Sequence, residues 1–337
     1  MKVAQLVKHG NDASCFLITD VDKPTPKAGE VLIKVEGFGL NYADVMARLG
    51  LYKDAPPLPA VLGYDVVGSV DAVGEGGQAS KLGKRVVAVT EFGGYAEYAI
   101  AREEAAAEIP DDMPLEAAAA LATQYATAYY SAYQLGNVQN NEHVFIHAAA
   151  GGVGLALIQF CKLRNCVMYG TVSNDTKAET IRQSGVHHVI NSSKQNVLEE
   201  LKKLDHKLDV IFDSVGGKGV KIGFKSLRAG GRIICYGGSQ LTAGRGPIHL
   251  IKFGLSFGFY SPIQLLSQSK SILGVNMLKL MRAHPQSLRT ILNETLKLLQ
   301  DKKITMPMGE SFNIDQLFQA HLHLQSRKSI GKIVVKW

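Results

Sequence analysis

Between residues 143 and 238 the chain repeats one grammar: a short apolar run, a turn, then a stretch with helical periodicity. The apolar runs read "HVFIHA", "CVMYGTV", "HHVIN", "LDVIFD" and "RIICYGG", and helices are predicted at 153–164, 175–184, 196–204 and 217–228. Strands that alternate with helices run parallel, because each helix returns the chain to its starting edge by a right-handed crossover. The expectation for residues 124–270 is therefore an open, doubly wound parallel α/β sheet.

Upstream the grammar differs. Residues 1–123 carry β-rich segments ("GEVLIKVEGFGL", "YDVVGSVDAVG", "KRVVAVTEF", "GYAEYAIA") separated by Gly and Pro, with one short helical stretch at 41–49. This predicts a mostly antiparallel, barrel-like domain. Residues 271–337, with an amphipathic helix at 284–303 and a last strand "GKIVVKW", are expected to complete it. A chain of 337 residues, 46% hydrophobic, can fill two such cores.

Several classes are disfavoured. The four cysteines (Cys15, Cys161, Cys166, Cys235) form no CxxC pair and lie in apolar surroundings, which points to neither a disulfide framework nor a zinc cluster. No apolar run reaches the length of a membrane span, and lysine, histidine and aspartate interrupt the first 16 residues too early for a signal peptide. A cytoplasmic protein is expected. The net charge of +7 is spread along the chain without the aromatic interleaving of a single-strand binder, so no nucleic-acid partner is expected.

The stretch "HAAAGGVGLALIQF" (147–160) joins the first predicted strand to the first helix. Ala149, Gly151 and Gly154 stand in the spacing of the dinucleotide fingerprint, alanine replacing its first glycine. A bare backbone at Gly151 admits a pyrophosphate, and Gly154 lets helix and strand approach. Gly152 and Val153 open the helix, whose N-terminal N–H groups and partial positive charge suit an anion. The second strand then selects between dinucleotides. Where an NAD enzyme presents a carboxylate to the ribose 2′-OH, this chain has "YGTVSNDTK": Ser173 follows the strand, Asp175 suits a helix start, and Lys177 offers a charge to a 2′-phosphate. NADP(H) is the expected cofactor, with Gly237 after the fifth strand as a further contact.

On these residues the chain resembles the medium-chain dehydrogenase/reductase superfamily, and within it the zinc-independent quinone oxidoreductase (zeta-crystallin) branch. "GLNYADVMARLGLY" (39–52), "FGGYAEY" (92–98), "AAAGGVG" and "GTVSNDTK" carry the resemblance. "NYADVMARLGLYKDAPPLP" and "HAAAGGVG" are especially similar to the vesicle amine transport protein homologue group, a group described both as quinone reductase relatives and as membrane-associated. The resemblance implies a GroES-like first domain and a Rossmann second one. It implies Asn41 and Tyr52 at a nicotinamide and substrate cleft between domains, Tyr52 donating its phenol hydrogen to the acceptor oxygen and Asn41 orienting the carboxamide or substrate carbonyl. Gln124, Thr127 and Tyr130 would surround the nicotinamide. Ser192 stands where several relatives clasp the 2′-phosphate with a tyrosine. Asp44 and Arg48, at i,i+4, read as an ion pair rather than as catalysts.

Zinc members of the superfamily carry cysteine at the place of Asn41, a His-Glu pair at the place of Tyr64-Asp65, and a four-cysteine lobe near 95–110; none is present, and no metal is expected. The absence suits hydride transfer to a quinone or other conjugated carbonyl, whose delocalised oxyanion neutral hydrogen-bond donors can stabilise. An enoyl thioester reductase is the nearest enzymatic alternative. A weakly catalytic NADPH-binding protein acting at membranes is the other, motivated by the apolar segment 250–266, which reads more readily as a subunit interface or lid. A homodimer acting on a small-molecule quinone or enone is expected.

Overall fold

The computed structural model describes residues 1–244, 246–307 and 309–337. It divides into two compact units, Met1–Ala126 with Met277–Trp337, and Thr127–Asn276.

The first unit is built on a seven-stranded sheet. Its path runs Glu310–Asn313, Ile333–Lys336, Glu30–Leu40, Asp65–Val73, Arg85–Val89, Ala106–Glu108, and Tyr98–Arg102 pairs with Glu30–Leu40. Alternation along Glu30–Leu40 turns Val31, Ile33, Val35, Phe38 and Leu40 into one core with Val66, Val86 and Tyr95. The last strand enters antiparallel to this long strand, with Ile333 opposite Leu40 and Val335 opposite Phe38. A smaller sheet of Phe16–Asp20, Lys2–Leu6 and Ala60–Val61 completes the unit's strands. Tyr42–Arg48 forms the short helix expected near 41–49.

The second unit is a six-stranded, wholly parallel sheet. Its spatial order is His188–Asn191, Val167–Val172, His143–Ile146, Leu208–Asp213, Leu227–Cys235, Ser271–Gly274. The order reverses between His143–Ile146 and Leu208–Asp213, and open α/β sheets bind ligands at the carboxyl ends of strands at such a switch point. The glycine turn begins there. The sixth strand was not foreseen: "SILG" is too short to stand out, and it places 271–276 with this sheet rather than with the C-terminal tail.

Residues 115–135 form one helical run, unlike the uniform helix that its alanines suggest. Two π-helical stretches, Leu121–Tyr125 and Tyr130–Leu135, flank the turn Ala126–Tyr129. Each π stretch rotates the residues after it about the helix axis, and such bulges recur at functional sites. Thr123, Gln124 and Tyr130 lie on them.

The apolar segment 250–266 is two helices, Pro247–Ser256 and Pro262–Gln268. One face packs inward: Phe253 and Phe257 meet edge to face at 5.1 Å, and Tyr260 lies 4.6 Å from Phe224. The other stays open within this chain, with Ile251 62%, Phe259 83%, Ile263 79% and Leu266 82% exposed. Phe257→Ser is accordingly expected to cost about 1–3 kcal/mol, below the range for a fully buried phenylalanine. The doubly substituted Ile263→Ser, Leu266→Ser chain should stay within about 0.5 kcal/mol per site. Urea denaturation of dilute protein measures both.

Candidate functional site

In the second unit the turn after His143–Ile146 is held by cross-strand bonds. His147 N–H donates to Phe212 O at 3.0 Å, Ala148 N–H to Thr171 Oγ1 at 3.1 Å and Ala149 N–H to Thr171 O at 2.9 Å. Ala148 takes a left-handed φ of 49°, which reverses the chain toward the helix. A Cβ on Gly154 would come within 2.6 Å of Ala149 O and 2.7 Å of Ala148 O, both backbone atoms that cannot yield, so only glycine fits. The helix Gly152–Lys162 begins with Gly151 as N-cap, without a side-chain cap. No side chain caps the N–H groups of the first turn, an arrangement that suits an external anion. Behind the turn, the fully buried Asp213 lies 3.4 Å from His147 Nε2 and accepts from Val215 N–H at 3.1 Å and Gly216 N–H at 2.6 Å. Gly237 follows the neighbouring strand Leu227–Cys235.

At the end of Val167–Val172, Ser173 is exposed. Asn174 caps the next helix by accepting from Lys177 N–H at 2.9 Å. Asp175 is turned to the protein, accepting from Asn191 Nδ2 at 2.8 Å and from Lys194 Nζ at 2.6 Å. Ser192 is exposed and donates its hydroxyl to Val172 O at 2.9 Å. Lys177 is more enclosed than a free surface cation, at 7% exposure. Thr127 and Tyr130 are half-buried on the helical run.

In the first unit Asn41 joins a buried polar network. Lys332 and Asp65 are fully buried, and Lys332 Nζ donates to Asp65 Oδ2 at 2.5 Å, Asn41 Oδ1 at 3.0 Å and Thr123 Oγ1 at 3.1 Å. Asn41 Nδ2 donates to Asp65 Oδ1 at 3.1 Å, and Thr123 Oγ1 donates to Asp65 Oδ2. All three ammonium hydrogens are used. Gly39 makes the passage for this side chain, since a Cβ there would lie 2.1 Å from Lys332 Cε. Thr123 and Lys332 are absent from the sequence-based candidates; a lysine directly before the apolar run of the strand Ile333–Lys336 is the available signal.

The i,i+4 pair expected of Asp44 and Arg48 takes a different form. Asp44 Oδ2 accepts from Asn41 N–H at 2.8 Å, capping the helix, while Arg48 reaches Gly10 O, Asn11 Oδ1 and Gln325 Oε1. Burial pushes the Asp44 carboxyl up to about 7, the Asp65 charge adding to it and the Asn41 N–H opposing it. Tyr52 is half-buried, its ring edge-on to Tyr64 at 6.2 Å. Burial raises both phenols, so both are neutral donors at ordinary pH. Among the described residues, no group of three or more His, Cys, Asp and Glu side chains is arranged to hold a metal, and no helix is long and apolar enough to cross a membrane.

A barrel-type unit bearing a buried polar centre, on the same chain as a parallel sheet with a glycine-rich nucleotide turn, defines a two-domain dehydrogenase/reductase. The chain belongs to the medium-chain dehydrogenase/reductase superfamily. Residues 27–111 match the family described as alcohol dehydrogenase GroES-like domain, and residues 152–295 the family described as zinc-binding dehydrogenase. The synaptic vesicle membrane protein VAT-1 homolog of Danio rerio is 32% identical over 320 residues; the match covers 93% of this chain and spans 65% of that relative's length. The Homo sapiens VAT-1 homolog is 31% identical, with coverage of 93% and 80%. The Escherichia coli quinone oxidoreductase complexed with NADPH superimposes with a TM-score of 0.87 at 26% identity, over the whole of both chains.

Asp44 makes the network sensitive to pH. An unfolded carboxyl titrates near about 4, so between about pH 4 and the folded value the folded chain keeps a proton that the unfolded chain has lost. The stability contributed by the protonated carboxyl is complete below that window and is lost as pH rises through about 7. Asp44→Asn is expected to flatten this part of the profile. Urea midpoints at pH 5 and pH 8 should fall more for the parent than for the variant.

Proposed function

We propose that this chain is an NADPH-dependent oxidoreductase that transfers hydride, without a metal, to quinones or related conjugated carbonyls. The carrying observation is the polar centre of the first unit. Where zinc relatives place cysteine and a His-Glu pair, this chain has Asn41, Tyr64 and Asp65, and Asn41 and Asp65 are closed around the Lys332 ammonium. An amide, a phenol and an already paired carboxylate are a poor donor set for tetrahedral zinc. The similarity to a quinone oxidoreductase solved with NADPH supports the cofactor.

The nucleotide fits the residues present: Gly154 lets the helix begin directly on the turn, Gly151 caps it with no side chain of its own, and the helix N-terminus supplies donors to a pyrophosphate. Gly151, Gly152 and Val153 hold the pyrophosphate, Ser173, Lys177 and Ser192 meet the 2′-phosphate, and Gly237, Thr127 and Tyr130 line the remainder. Bound NADPH supplies the hydride. Tyr52 donates its phenolic hydrogen bond to the oxygen on which negative charge develops, and Asn41, with one amide hydrogen beyond its bond to Asp65, orients the carboxamide or carbonyl. Neutral donors suffice because a quinol anion is delocalised and weakly basic.

NADPH oxidation followed against quinones, enones and enoyl thioesters tests the reading; turnover of thioesters alone would move it to an enoyl reductase. Tyr52→Phe is expected to lower kcat for a quinone by roughly 10- to 100-fold with the NADPH KM unchanged, at or below the range for loss of an oxyanion donor. An unchanged kcat would leave Tyr52 as a wall of the site. Lys177→Ala should weaken NADPH binding by about 10- to 100-fold, the equivalent of a charge-assisted contact, and spare NADH. Equal loss of both cofactors in titration would instead assign the buried lysine to the fold.

A further inference from the structure

The helix that begins at the glycine turn ends in a Schellman motif. Asn165 takes a left-handed φ of 52°, its N–H donates to Lys162 O at 3.0 Å, and Cys166 N–H donates to Cys161 O at 3.1 Å. These are the 5→2 and 6→1 bonds of that motif, which brings the side chains of the residues joined by the 6→1 bond into contact. Apolar residues usually fill those two places. Here both are cysteines, and both are free thiols.

The contact polarises the pair. The bond to Cys166, together with burial, pushes the Cys161 thiol well above the ordinary thiol range, while accepting that bond pulls Cys166 down. Cys161 is fully buried and Cys166 is 2% exposed, yet residues 162–165 above them are all exposed. The exposed turn 162–165 is the part of the surface nearest the pair in sequence. Cys15 lies in the other unit, and Cys235 is a solitary thiol that burial pushes up to about 12.

We propose that Cys161 and Cys166 are a redox-active dithiol, oxidised by hydroperoxides to a disulfide that staples the end of the helix Gly152–Lys162 to the start of the strand Val167–Val172. In the first step the Cys166 thiolate attacks a peroxide oxygen, the O–O bond breaks, the leaving oxygen takes a proton, and Cys166 becomes a sulfenic acid. The Cys161 sulfur, losing its proton, then attacks the Cys166 sulfur; the S–O bond breaks, water leaves and the S–S bond forms. Two thiols are oxidised by two electrons, and the hydroperoxide is reduced to an alcohol and water. The motif already holds the residues together, so the bond locks the existing backbone. The site stands on this geometry, and only its placement on a nucleotide-binding helix rests on the proposed function.

The test uses the full native chain without NADPH. After treatment with tert-butyl hydroperoxide, denaturation and alkylation, the protein should carry two alkyl groups where the untreated control carries four, with a further loss of about 2 Da for one disulfide. Trypsin cuts between the two cysteines, so the product is a linked pair of peptides, with Cys15 and Cys235 still alkylated and dithiothreitol reversing the change. Amide exchange over residues 160–167 should slow. Cys166→Ala should abolish the mass loss, and the wild-type peptide map decides the matter if that variant fails to fold. Sulfinic acid at Cys166 with Cys161 still alkylated, a disulfide that forms only in urea, or faster exchange over 160–167 would each overturn the proposal.

Discussion

The interaction on which the first unit depends is the buried pair of Lys332 and Asp65. It joins residues far apart in the chain, one at the start of the C-terminal strand and the other at the start of Asp65–Val73, and it recruits Asn41 and Thr123 from two further elements. Burying two charges is costly, and a well-packed apolar substitute would often be as stable. The asymmetry lies in removing one partner, which strands a charge without water at a cost of about 3–5 kcal/mol. The pair therefore enforces register. Ile333 must lie opposite Leu40 for Lys332 to pass over Gly39, and a one-residue slip would turn Lys332 to the other face of the strand, away from Asp65.

The second unit is organised by sterics instead of charge. Ala148 reverses the chain, Thr171 binds the turn from the neighbouring strand, and the absence of a Cβ at Gly154 lets the helix begin directly on the turn. The result is a row of backbone donors at the carboxyl edge of the sheet, where the strand order reverses. Oriented backbone dipoles of this kind suit an anion such as the pyrophosphate of the proposed cofactor.

This division explains what could be read in advance. The parallel sheet, the glycine turn and the helix Tyr42–Arg48 are local patterns, carried by period and by turn chemistry, and they were legible. The strand Ser271–Gly274 has four residues and gains its identity only by pairing with Leu227–Cys235. The π stretches at Leu121–Tyr125 and Tyr130–Leu135 leave no mark in an alanine-rich run. Lys332 is one lysine among many until the strand register brings it to Asn41. The Asp44–Arg48 spacing suggests an ion pair within the short helix, but both side chains are buried and bind other partners, Asp44 the Asn41 N–H and Arg48 the Gly10 carbonyl.

Charge counting then accounts for the character of the site. The interior around Asn41 contains two carboxyls, Asp44 and Asp65, and one ammonium, Lys332. The ammonium is within hydrogen-bond distance of Asp65 and neutralises it; no second cation is bonded to Asp44, whose Oδ1 has no hydrogen-bond partner among the described residues. Keeping a proton is the cheaper solution for that group, and burial raises its carboxyl accordingly. Burial raises the Tyr52 and Tyr64 phenols nearby, so both stay protonated. A zinc ion does the opposite, lowering the pKa of whatever oxygen it binds. An internally satisfied ion pair leaves the neighbouring phenols as neutral hydrogen-bond donors, which is the electrostatic character that the proposed function requires of this centre.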